Sequence, residues 1–170
     1  MDFKRNVRDV PDFPHAGVLF KDITPLLNDA KAFSAAIDAM AEPELSLRPT
    51  HVLGLESRGF IFGSALAHKL GLGFVPARKP GKLPMPTYRE SFASEYGEDA
   101  LEIHQDAFHA GDRVLIVDDV LATGGTAAAA RRLVERTGAH PVALTVFVEL
   151  DFLKGRDRLK GLPVFSVLTC

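Results

Sequence analysis

Two acids, two threonines and two glycines lie close together in the stretch VLIVDDVLATGGT, which begins at Val114. Asp118 and Asp119 follow a short apolar run, and residues 122–126 (ATGGT) come next. Glycines let the backbone turn tightly and expose its N–H groups, and threonines supply hydroxyl donors. The start of a helix adds free N–H groups and a partial positive charge. Together these groups are typical of a cradle for a phosphate.

The acid pair indicates which chemical groups the ligand carries. Carboxylates at the end of a buried strand are costly unless a charged or hydroxylated group meets them. We therefore expect Asp118 and Asp119 to accept hydrogen bonds from the diol of a sugar phosphate, for which ribose 5-phosphate fits. The alternative is a strand, a surface turn and a helix without a ligand, because Asp and Thr are also common turn and cap residues. The lysine of a Walker A loop is missing here, as is a GxGxxG pattern.

Apolar runs separated by helical patterns surround this stretch. Residues 114–117 predict a strand buried on both faces of a parallel sheet, and residues 126–136 a helix that stops near Gly138. Residues 51–55 predict another buried strand, followed by a helix over residues 60–70 that ends at Gly71. Further strands are expected at residues 73–76, 141–149 and 164–168, with a polar turn at residues 155–161. This order predicts an α/β fold with helices on both faces of a parallel sheet.

The remaining segments are less regular. A short amphipathic helix is expected near residues 5–10, an extended piece at residues 18–23, and a helix from Asn28 or Asp29 to about Ala41. Residues 84–100 show no clear periodicity and predict a long loop, with residues 101–104 as the second arm of a hairpin.

A second polar turn follows the strand at residues 51–55. It contains Glu56, Ser57 and Arg58, and ligands of open α/β sheets bind at the carboxyl ends of strands. The planar fork of Arg58 suits phosphate oxygens, although a surface arginine near a helix start is the alternative. Arg78, Lys79 and Lys82 form a basic turn further on, for which a solvated turn is the simpler interpretation.

Composition excludes several classes of function. The chain has 170 residues, 18.5 kDa and a net charge of −2, which indicates one domain without general affinity for nucleic acid or anionic membranes. Cys170 is the one cysteine, so an intrachain disulfide and a cysteine-based metal site are excluded. The histidines lack metal-ligand spacing. The N-terminal residues lack a signal-peptide core, and no apolar run could span a bilayer, so a cytoplasmic location is expected.

Five segments in one order resemble the type I phosphoribosyltransferases, in particular those that act on adenine. VLIVDDVLATGGT is similar to their ribose-phosphate signature and PDFPHAGVLFKDITPLL to the N-terminal hood. LESRGF and RKPGKLP resemble the pyrophosphate-binding segments, and SEYG resembles part of the mobile catalytic loop. The resemblance implies a single type I phosphoribosyltransferase domain over residues 1–170. Its central parallel sheet would be flanked by helices, with a hood at about residues 1–28 and a flexible catalytic hairpin loop at about residues 84–103.

The resemblance also implies the reaction and its residues. Adenine and 5-phosphoribosyl 1-pyrophosphate would give AMP and pyrophosphate, with Glu95 handling the proton on the imidazole half of adenine and with Asp118 and Asp119 as its catalytic partners. The implied ribose 5-phosphate residues are Asp118, Asp119, Ala122, Thr123, Gly124, Gly125 and Thr126. The implied pyrophosphate residues are Glu56, Ser57, Arg58, Arg78, Lys79 and Lys82. The implied adenine residues are Leu19, Phe20, Lys21, Val120 and Leu121.

Three further properties follow from the same resemblance. The peptide between Glu56 and Ser57 is often cis in the family, and Phe92 stands where many members have tyrosine. Mg²⁺ would be held by the substrate without a direct protein ligand. The chain would form a homodimer in which part of the basic turn serves the partner subunit, with no nucleic-acid or membrane partner.

Two other functions stay open on the sequence. One is transfer of the same group to another base, such as hypoxanthine, xanthine or orotate. The other is a regulator that senses phosphoribosyl pyrophosphate on this fold, although 170 residues leave little room for an added DNA-binding domain.

Overall fold

The computed structural model describes residues 2–94 and 97–170, apart from the side chains of residues 44 and 45. The chain divides into two compact units, Met1–Ala39 and Met40–Cys170. Within the described residues, none of the helices is long and apolar enough to cross a membrane.

The first unit begins with a 3₁₀ helix and a two-stranded hairpin. The elements are the 3₁₀ helix Phe3–Asn6, strands β1 (Arg8–Pro11) and β2 (Leu19–Asp22), and helices α1 (Thr24–Asn28) and α2 (Ala30–Ala41), the last of which runs past the unit boundary. The predicted start of α2 is confirmed, because Asp29 Oδ1 accepts hydrogen bonds from the N–H groups of Lys31 at 3.0 Å and Ala32 at 3.1 Å.

The amphipathic helix expected near residues 5–10 is wrong. Arg8–Pro11 pairs antiparallel with Leu19–Asp22 instead. Ion pairs join the two strands, with Arg8 Nε 2.9 Å from Asp22 Oδ2 and Lys21 Nζ 2.6 Å from Asp9 Oδ1. Cross-strand pairs of this kind stabilise a hairpin, and the spacing of residues within one strand cannot reveal them.

The second unit contains one parallel sheet and one separate hairpin. Its strands and α-helices are β3 (His51–Leu55), α3 (Gly59–Leu70), β4 (Gly73–Ala77), β5 (Thr87–Ser94), β6 (Gly97–His104), β7 (Arg113–Leu121), α4 (Gly125–Arg136), β8 (His140–Glu149) and β9 (Val164–Thr169). Short 3₁₀ helices occupy Glu42–Ser46, Asp151–Leu153 and Gly155–Leu159. The five parallel strands lie in the order β4-β3-β7-β8-β9, which confirms the predicted parallel sheet.

Helices cover both faces of this sheet, as predicted. On one face Phe62 of α3 stacks on Phe147 of β8, with ring centroids 5.6 Å apart. On the other face, Leu133 of α4 belongs to one buried cluster with Leu53 and Ile116. Residues on opposite faces of the same strands therefore contact the two helices. Burial of each such side chain contributes ~1.5–3 kcal/mol to stability.

Strand β7 is longer than predicted. It runs to Leu121, so Asp118 and Asp119 lie inside the strand instead of after it. The pairing with β8 continues through Asp118 opposite Val146 and Leu121 opposite Glu149. Backbone hydrogen bonds from the neighbouring strand therefore hold the acid pair in an extended conformation.

The long loop expected at residues 84–100 is also wrong, because most of it is strand. Thr87–Ser94 pairs antiparallel with Gly97–His104. Residues in β5 alternate in exposure, and the half-buried ones include Tyr88, Glu90 and Phe92. The apolar and polar residues of β5 do not alternate in the sequence, because Glu90 occupies one of the inward positions. Glu90 lies inward because it pairs with Arg132 at 3.0 Å and Arg136 at 3.3 Å, both on α4.

Candidate active site

The carboxyl ends of β3 and β7 form the central feature of the site. These strands are parallel neighbours. The chain leaves β3 for α3 on one face of the sheet and leaves β7 for α4 on the other. Such a point, where successive connections go to opposite faces, opens a crevice in which α/β proteins bind ligands. The predicted turn at residues 56–58 and the predicted phosphate loop at residues 122–126 both lie at this crevice.

An ion pair joins the turn after β3 to the carboxyl end of β7. Arg58 Nε lies 2.8 Å from Asp119 Oδ2, with the Asp119 side chain 6% exposed and the Arg58 side chain 37% exposed. The N–H of Asp119 donates to Asp118 Oδ1 at 2.9 Å. The charge of Asp119 Oδ2 is compensated by Arg58, yet this buried oxygen accepts no well-aligned hydrogen bond from any described residue. It can therefore accept one from a ligand hydroxyl.

Burial alters the acidity of both aspartates. It raises the pKa of the Asp118 carboxyl well above its ordinary value, and the negative charge of Asp119 raises it further. Burial also raises the pKa of Asp119, while the positive charge of Arg58 opposes that rise. Pairs of this kind cluster at functional sites, because a ligand with positive character or hydroxyl donors stabilises their ionised form.

The loop at residues 122–126 has the geometry of a phosphate cradle. Gly124 has φ +83°, and α4 begins at Gly125, one residue earlier than predicted. A cavity of about 70 Å³ lies at this loop, lined by residues that include Asp118, Thr123 and Thr126. One water needs only ~10–15 Å³, so the cavity admits a larger polar group.

Gly59 is a residue of the site that the sequence reasoning missed. It opens α3, and a Cβ at this position would lie 2.9 Å from Asp118 Oδ1 and 2.9 Å from Val117 O. Only glycine lets the helix start approach the acid pair so closely. Its place directly after Arg58, at the start of a predicted helix, was the available signal.

The Glu56 carboxylate organises the basic turn. Its side chain is 8% exposed and pairs with Lys82 Nζ. Its Oε2 accepts the N–H of Lys79 at 2.7 Å and lies 3.6 Å from Arg78 Nε. Burial would raise the pKa of Glu56, but the hydrogen bonds from Lys82 and the Lys79 N–H outweigh it and lower that pKa. The turn is thus tied to the end of β3, and Lys79 Nζ also pairs with Asp99 of the hairpin.

The peptide between Glu56 and Ser57 is cis, as the resemblance implied. In the chain, Ser57 follows the carboxylate that holds the basic turn and precedes the arginine that reaches Asp119. Every predicted pyrophosphate residue is connected to this end of β3, either through the chain or through Glu56.

Other predicted site residues are described within their own units. In the first unit, the half-buried Phe20 meets Phe13 edge-on, with ring centroids 5.1 Å apart. Leu19 precedes it with 41% exposure, and Lys21 follows in its ion pair with Asp9. In the second unit, Val120 and Leu121 end β7. Glu95 lies outside the described residues.

Phe92 occupies the position where many members of the family that the sequence resembles have tyrosine. The ring is half-buried and packs against the main apolar cluster. A Cβ added to Gly125 would lie 3.4 Å from Phe92 Cδ2, so the ring reaches the first turn of α4. Hydrophobic packing thus links the hairpin to the start of this helix.

Protein side chains alone form no metal cage in the part of the chain that the structure describes. There, no group of three or more His, Cys, Asp or Glu side chains is arranged to hold a metal ion. Asp118 and Asp119 supply hard oxygen atoms at the crevice, but Arg58 already compensates one of them. These oxygens fit a magnesium ion that is held by phosphates and sugar hydroxyls, because they can accept hydrogen bonds from those hydroxyls.

The chain is similar over nearly its whole length to named proteins. A sequence profile described as phosphoribosyl transferase domain matches residues 25–165. The adenine phosphoribosyltransferase of Carboxydothermus hydrogenoformans is 54% identical over 168 residues, which cover 99% of each chain. The crystal structure of adenine phosphoribosyltransferase from Rhodothermus marinus matches with a TM-score of 0.94 and 53% identity, covering 99% of this chain and 96% of that one.

A third relative was solved with bound ligands. The adenine phosphoribosyltransferase of Saccharomyces cerevisiae, complexed with adenine and D-2,5-dideoxy-2,5-imino-altritol 1,6-bisphosphate, matches with a TM-score of 0.92 and 44% identity. The match covers 98% of this chain and 96% of that one.

Proposed function

The chain belongs to the adenine phosphoribosyltransferase family, and from this we propose that it transfers the 5-phosphoribosyl group of 5-phosphoribosyl 1-pyrophosphate to adenine, giving AMP and pyrophosphate. The observation that carries the proposal is the ion pair between Arg58 and Asp119 beside residues 122–126. It brings a cation, an acid pair and a phosphate cradle to one crevice, and these are the groups that a phosphorylated, pyrophosphorylated ribose requires.

The ribose and its 5-phosphate are assigned to β7 and the loop after it. We assign the 5-phosphate to Ala122, Thr123, Gly124, Gly125 and Thr126, where the start of α4 offers free backbone N–H groups and the threonines add hydroxyls. Asp118 and Asp119 would accept hydrogen bonds from the ribose hydroxyls. The buried Asp119 Oδ2, which lacks a hydrogen bond from any described residue, supports this assignment.

The pyrophosphate is assigned to the end of β3 and the basic turn. More than a third of the Arg58 side chain is exposed, and the Lys79 and Lys82 side chains are 45% and 47% exposed. These side chains can turn toward an anion while Glu56 keeps the turn in place. We propose that Glu56 acts through this anchoring, with Ser57 and Arg78 completing the pyrophosphate set.

The chemistry is a substitution at the anomeric carbon. The bond to the pyrophosphate oxygen breaks, pyrophosphate leaves with the electron pair, and a bond from adenine N9 forms. The sugar gains oxocarbenium character, which the negative charge of Asp118 and Asp119 stabilises, while Arg58 and Lys82 stabilise the leaving group. The proton leaves N9 of adenine for a base, a role that we propose for Glu95.

Magnesium is part of the proposal. A Mg²⁺ ion bound by pyrophosphate and ribose hydroxyls would neutralise charge on the leaving group. Asp118 and Asp119 would hold the hydroxyls that coordinate it. The position of these two carboxylates at the crevice, beside Arg58, supports the proposal.

The adenine residues are proposed from the resemblance. Phe20 would stack on the ring, with the backbone of Leu19 and Lys21 reading its edge and with Val120 and Leu121 as an apolar wall. Within the first unit, the edge-on contact with Phe13 fixes the Phe20 ring and supports a stacking role.

We also propose a homodimer, a cytoplasmic location and a single functional domain over residues 1–170. Ile61 of α3 and Phe74 of β4, which are 38% and 36% exposed, provide apolar surface for a second copy. Sedimentation velocity tests the dimer and cell fractionation tests the location.

One assay tests the reaction directly. The purified chain is incubated with adenine, 5-phosphoribosyl 1-pyrophosphate and Mg²⁺, and AMP and pyrophosphate are measured. Parallel reactions contain hypoxanthine, xanthine or orotate. AMP formation at least 100 times faster than formation of the other nucleotides is expected. A preference for another base would overturn the adenine assignment, and no product with any base would overturn the enzyme assignment.

A further inference from the structure

A short piece of backbone supports the phosphate loop from behind. We call residues 151–159, which contain two 3₁₀ turns, the floor segment. A Cβ added to Gly124 would lie 2.4 Å from Gly155 O, and a Cβ added to Gly155 would lie 2.4 Å from Ala122 O. The backbone of the floor segment and the backbone of the loop are therefore in direct contact. The sequence predicted only a polar turn here, although Gly155 and Leu159 are buried.

An ion pair between the buried Glu149 carboxylate and the half-exposed Arg156 side chain holds the floor segment in place. Arg156 Nε and Nη2 donate to the two oxygens of Glu149 at 2.6 and 2.7 Å. Ser166 Oγ donates to Glu149 Oε2 at 2.8 Å, and Arg156 Nη1 donates to Val164 O at 2.8 Å. The Glu149 side chain is 5% exposed. A bidentate pair with every oxygen satisfied is rigid, and it fixes residue 156 directly beside Gly155.

The same pair is connected to the strand that enters the loop. Glu149 lies opposite Leu121 in the pairing of β7 with β8, and the N–H of Leu150 donates to Leu121 O at 2.9 Å. Leu159, at the far end of the floor segment, is 1% exposed and belongs to the same apolar cluster as Leu121. The floor segment is thus fixed at both ends to the elements that carry the loop.

We infer that Glu149 and Arg156 are positioning residues for the phosphate loop, acting through Gly155 on the left-handed conformation of Gly124; this inference rests on the proposed function. Neither side chain needs to contact substrate. Their pairing holds the Gly155 backbone against Gly124 and Ala122, and this contact sets the direction of the N–H groups that would receive the 5-phosphate. The consequence is selective, since adenine does not carry that phosphate.

Substitution of Arg156 tests the inference. Arg156→Ala is expected to raise KM for 5-phosphoribosyl 1-pyrophosphate at least 10-fold, while KM for adenine changes less than 2-fold and kcat keeps at least a third of its value. Arg156→Lys keeps the charge but loses the fork, so it should restore only part of the affinity. The control is Arg113→Ala at the opposite end of β7, where Arg113 donates to Leu47 O at 2.8 and 3.1 Å.

A second substitution addresses the backbone contact without removing the ion pair. Gly155→Ala places a methyl group against Ala122 O and should raise the same KM at least 10-fold. The matched control is Gly73→Ala, whose Cβ would lie 2.7 Å from the His51 ring at the start of β4. The Gly155→Ala variant also tests the backbone contact if Arg156→Ala does not fold.

The outcomes separate this inference from the proposed function. If the wild-type chain makes no AMP, the proposed function fails. The positioning role alone is overturned if the wild-type chain is active and KM for 5-phosphoribosyl 1-pyrophosphate stays within 2-fold in both Arg156→Ala and Gly155→Ala, or in both Arg156→Lys and Gly155→Ala where Arg156→Ala does not fold. It is also overturned if both KM values rise equally, because a general loss of structure would do that.

Discussion

Arg58 Nε lies 2.8 Å from Asp119 Oδ2, although Arg58 follows β3 and Asp119 lies within β7, and the helices after these two strands pack on opposite faces of the sheet. Asp119 is almost fully buried, whereas Arg58 keeps part of its guanidinium at the surface. The pair therefore connects the proposed ribose position with the proposed pyrophosphate position.

The first prediction concerns Asp119→Ala. We expect kcat/KM to fall about 10²–10³-fold, because a preorganised charge that favours the transition state is lost. The fold should persist, since Arg58 can be hydrated once its partner is removed. Steady-state kinetics and circular dichroism measure the two effects. Asp112→Ala, at the amino end of β7, is the control and should keep wild-type kinetics. Wild-type turnover in Asp119→Ala would remove the acid pair from the mechanism.

The second prediction concerns Gly124→Ala, which combines backbone strain with a clash. Gly124 has φ +83°, and the new Cβ would lie 2.4 Å from Gly155 O. We expect KM for 5-phosphoribosyl 1-pyrophosphate to rise more than 10-fold, with a loss of stability of ~1–3 kcal/mol. Gly111→Ala separates the two causes, because Gly111 has φ +94° with nothing within 4 Å of its Cβ position. Equal kinetic effects in both variants would contradict a specific role of the loop contact.

The third prediction concerns Asp118→Asn and pH. Burial raises the pKa of Asp118 above its unfolded value of 3.8, so its contribution to stability is present below that value and is lost as pH rises through the folded-state pKa. Asp118→Asn should therefore raise Tm by a few degrees at pH 7.5 while lowering activity, and this gain should vanish toward pH 4. Calorimetry over pH 4–8 measures it. A lower Tm for the variant at pH 7.5 would show that the ionised carboxylate stabilises the free protein.

The fourth prediction concerns Glu149→Gln, whose effect on Tm at pH 7.5 is opposite to that of Asp118→Asn. Hydrogen bonds from Arg156 lower the pKa of Glu149 below 4.5, so its contribution to stability is present above that value and is lost as pH falls through the folded-state pKa. Glu149→Gln should lower Tm at pH 7.5, and the difference from wild type should shrink below pH 4.5. The same calorimetric series measures it. A difference that stays constant down to pH 3.5 would mean that shape, not charge, governs the pair.

The fifth prediction concerns the attachment of the hairpin to α4. Glu90→Ala removes the partner of Arg132 and Arg136, and the Arg136 guanidinium also lies 4.7 Å from the Tyr88 ring centroid. Faster hydrogen exchange is expected in Thr87–Ser94, together with a several-fold lower kcat. Glu135→Ala is the control, because Glu135 pairs with Arg131 on the same helix at 3.0 Å without reaching the hairpin. Unchanged exchange in the Glu90 variant would show that the hairpin is held without these ion pairs, by apolar packing and by the hydrogen bonds from Arg132 and Arg136 to the β5 backbone.

Much of the fold could be predicted because local patterns determine it. The strands at residues 51–55 and 141–149 are mainly apolar runs. Gly71 and Gly138 follow the last turns of α3 and α4 and mark where these helices end. The resemblance implied a hairpin at about residues 84–103, but the strand β5 could not be predicted from the local pattern, since Glu90 lies inward only by pairing with Arg132, 42 residues away. The length of β7 depends in the same way on its pairing with β8.

The candidate site shows the same division. Arg58 and the acid pair were expected at one crevice, because the carboxyl ends of neighbouring parallel strands meet there. The anchoring role of the Glu56 carboxylate was not visible, since its partner Lys82 lies 26 residues further along the chain. Gly59 and Gly155 were missed for a related reason. Their importance depends on which backbone lies beside them.

The position of Cys170 gives the molecule a convenient reporter. This exposed thiol is the one cysteine in the chain. Its N–H donates to Glu149 O at 2.9 Å, and its carbonyl accepts the Asp151 N–H at 3.0 Å. A maleimide dye attached there would sit next to the floor segment without any engineered mutation. Fluorescence from a single dye could therefore follow ligand binding at the neighbouring loop in real time.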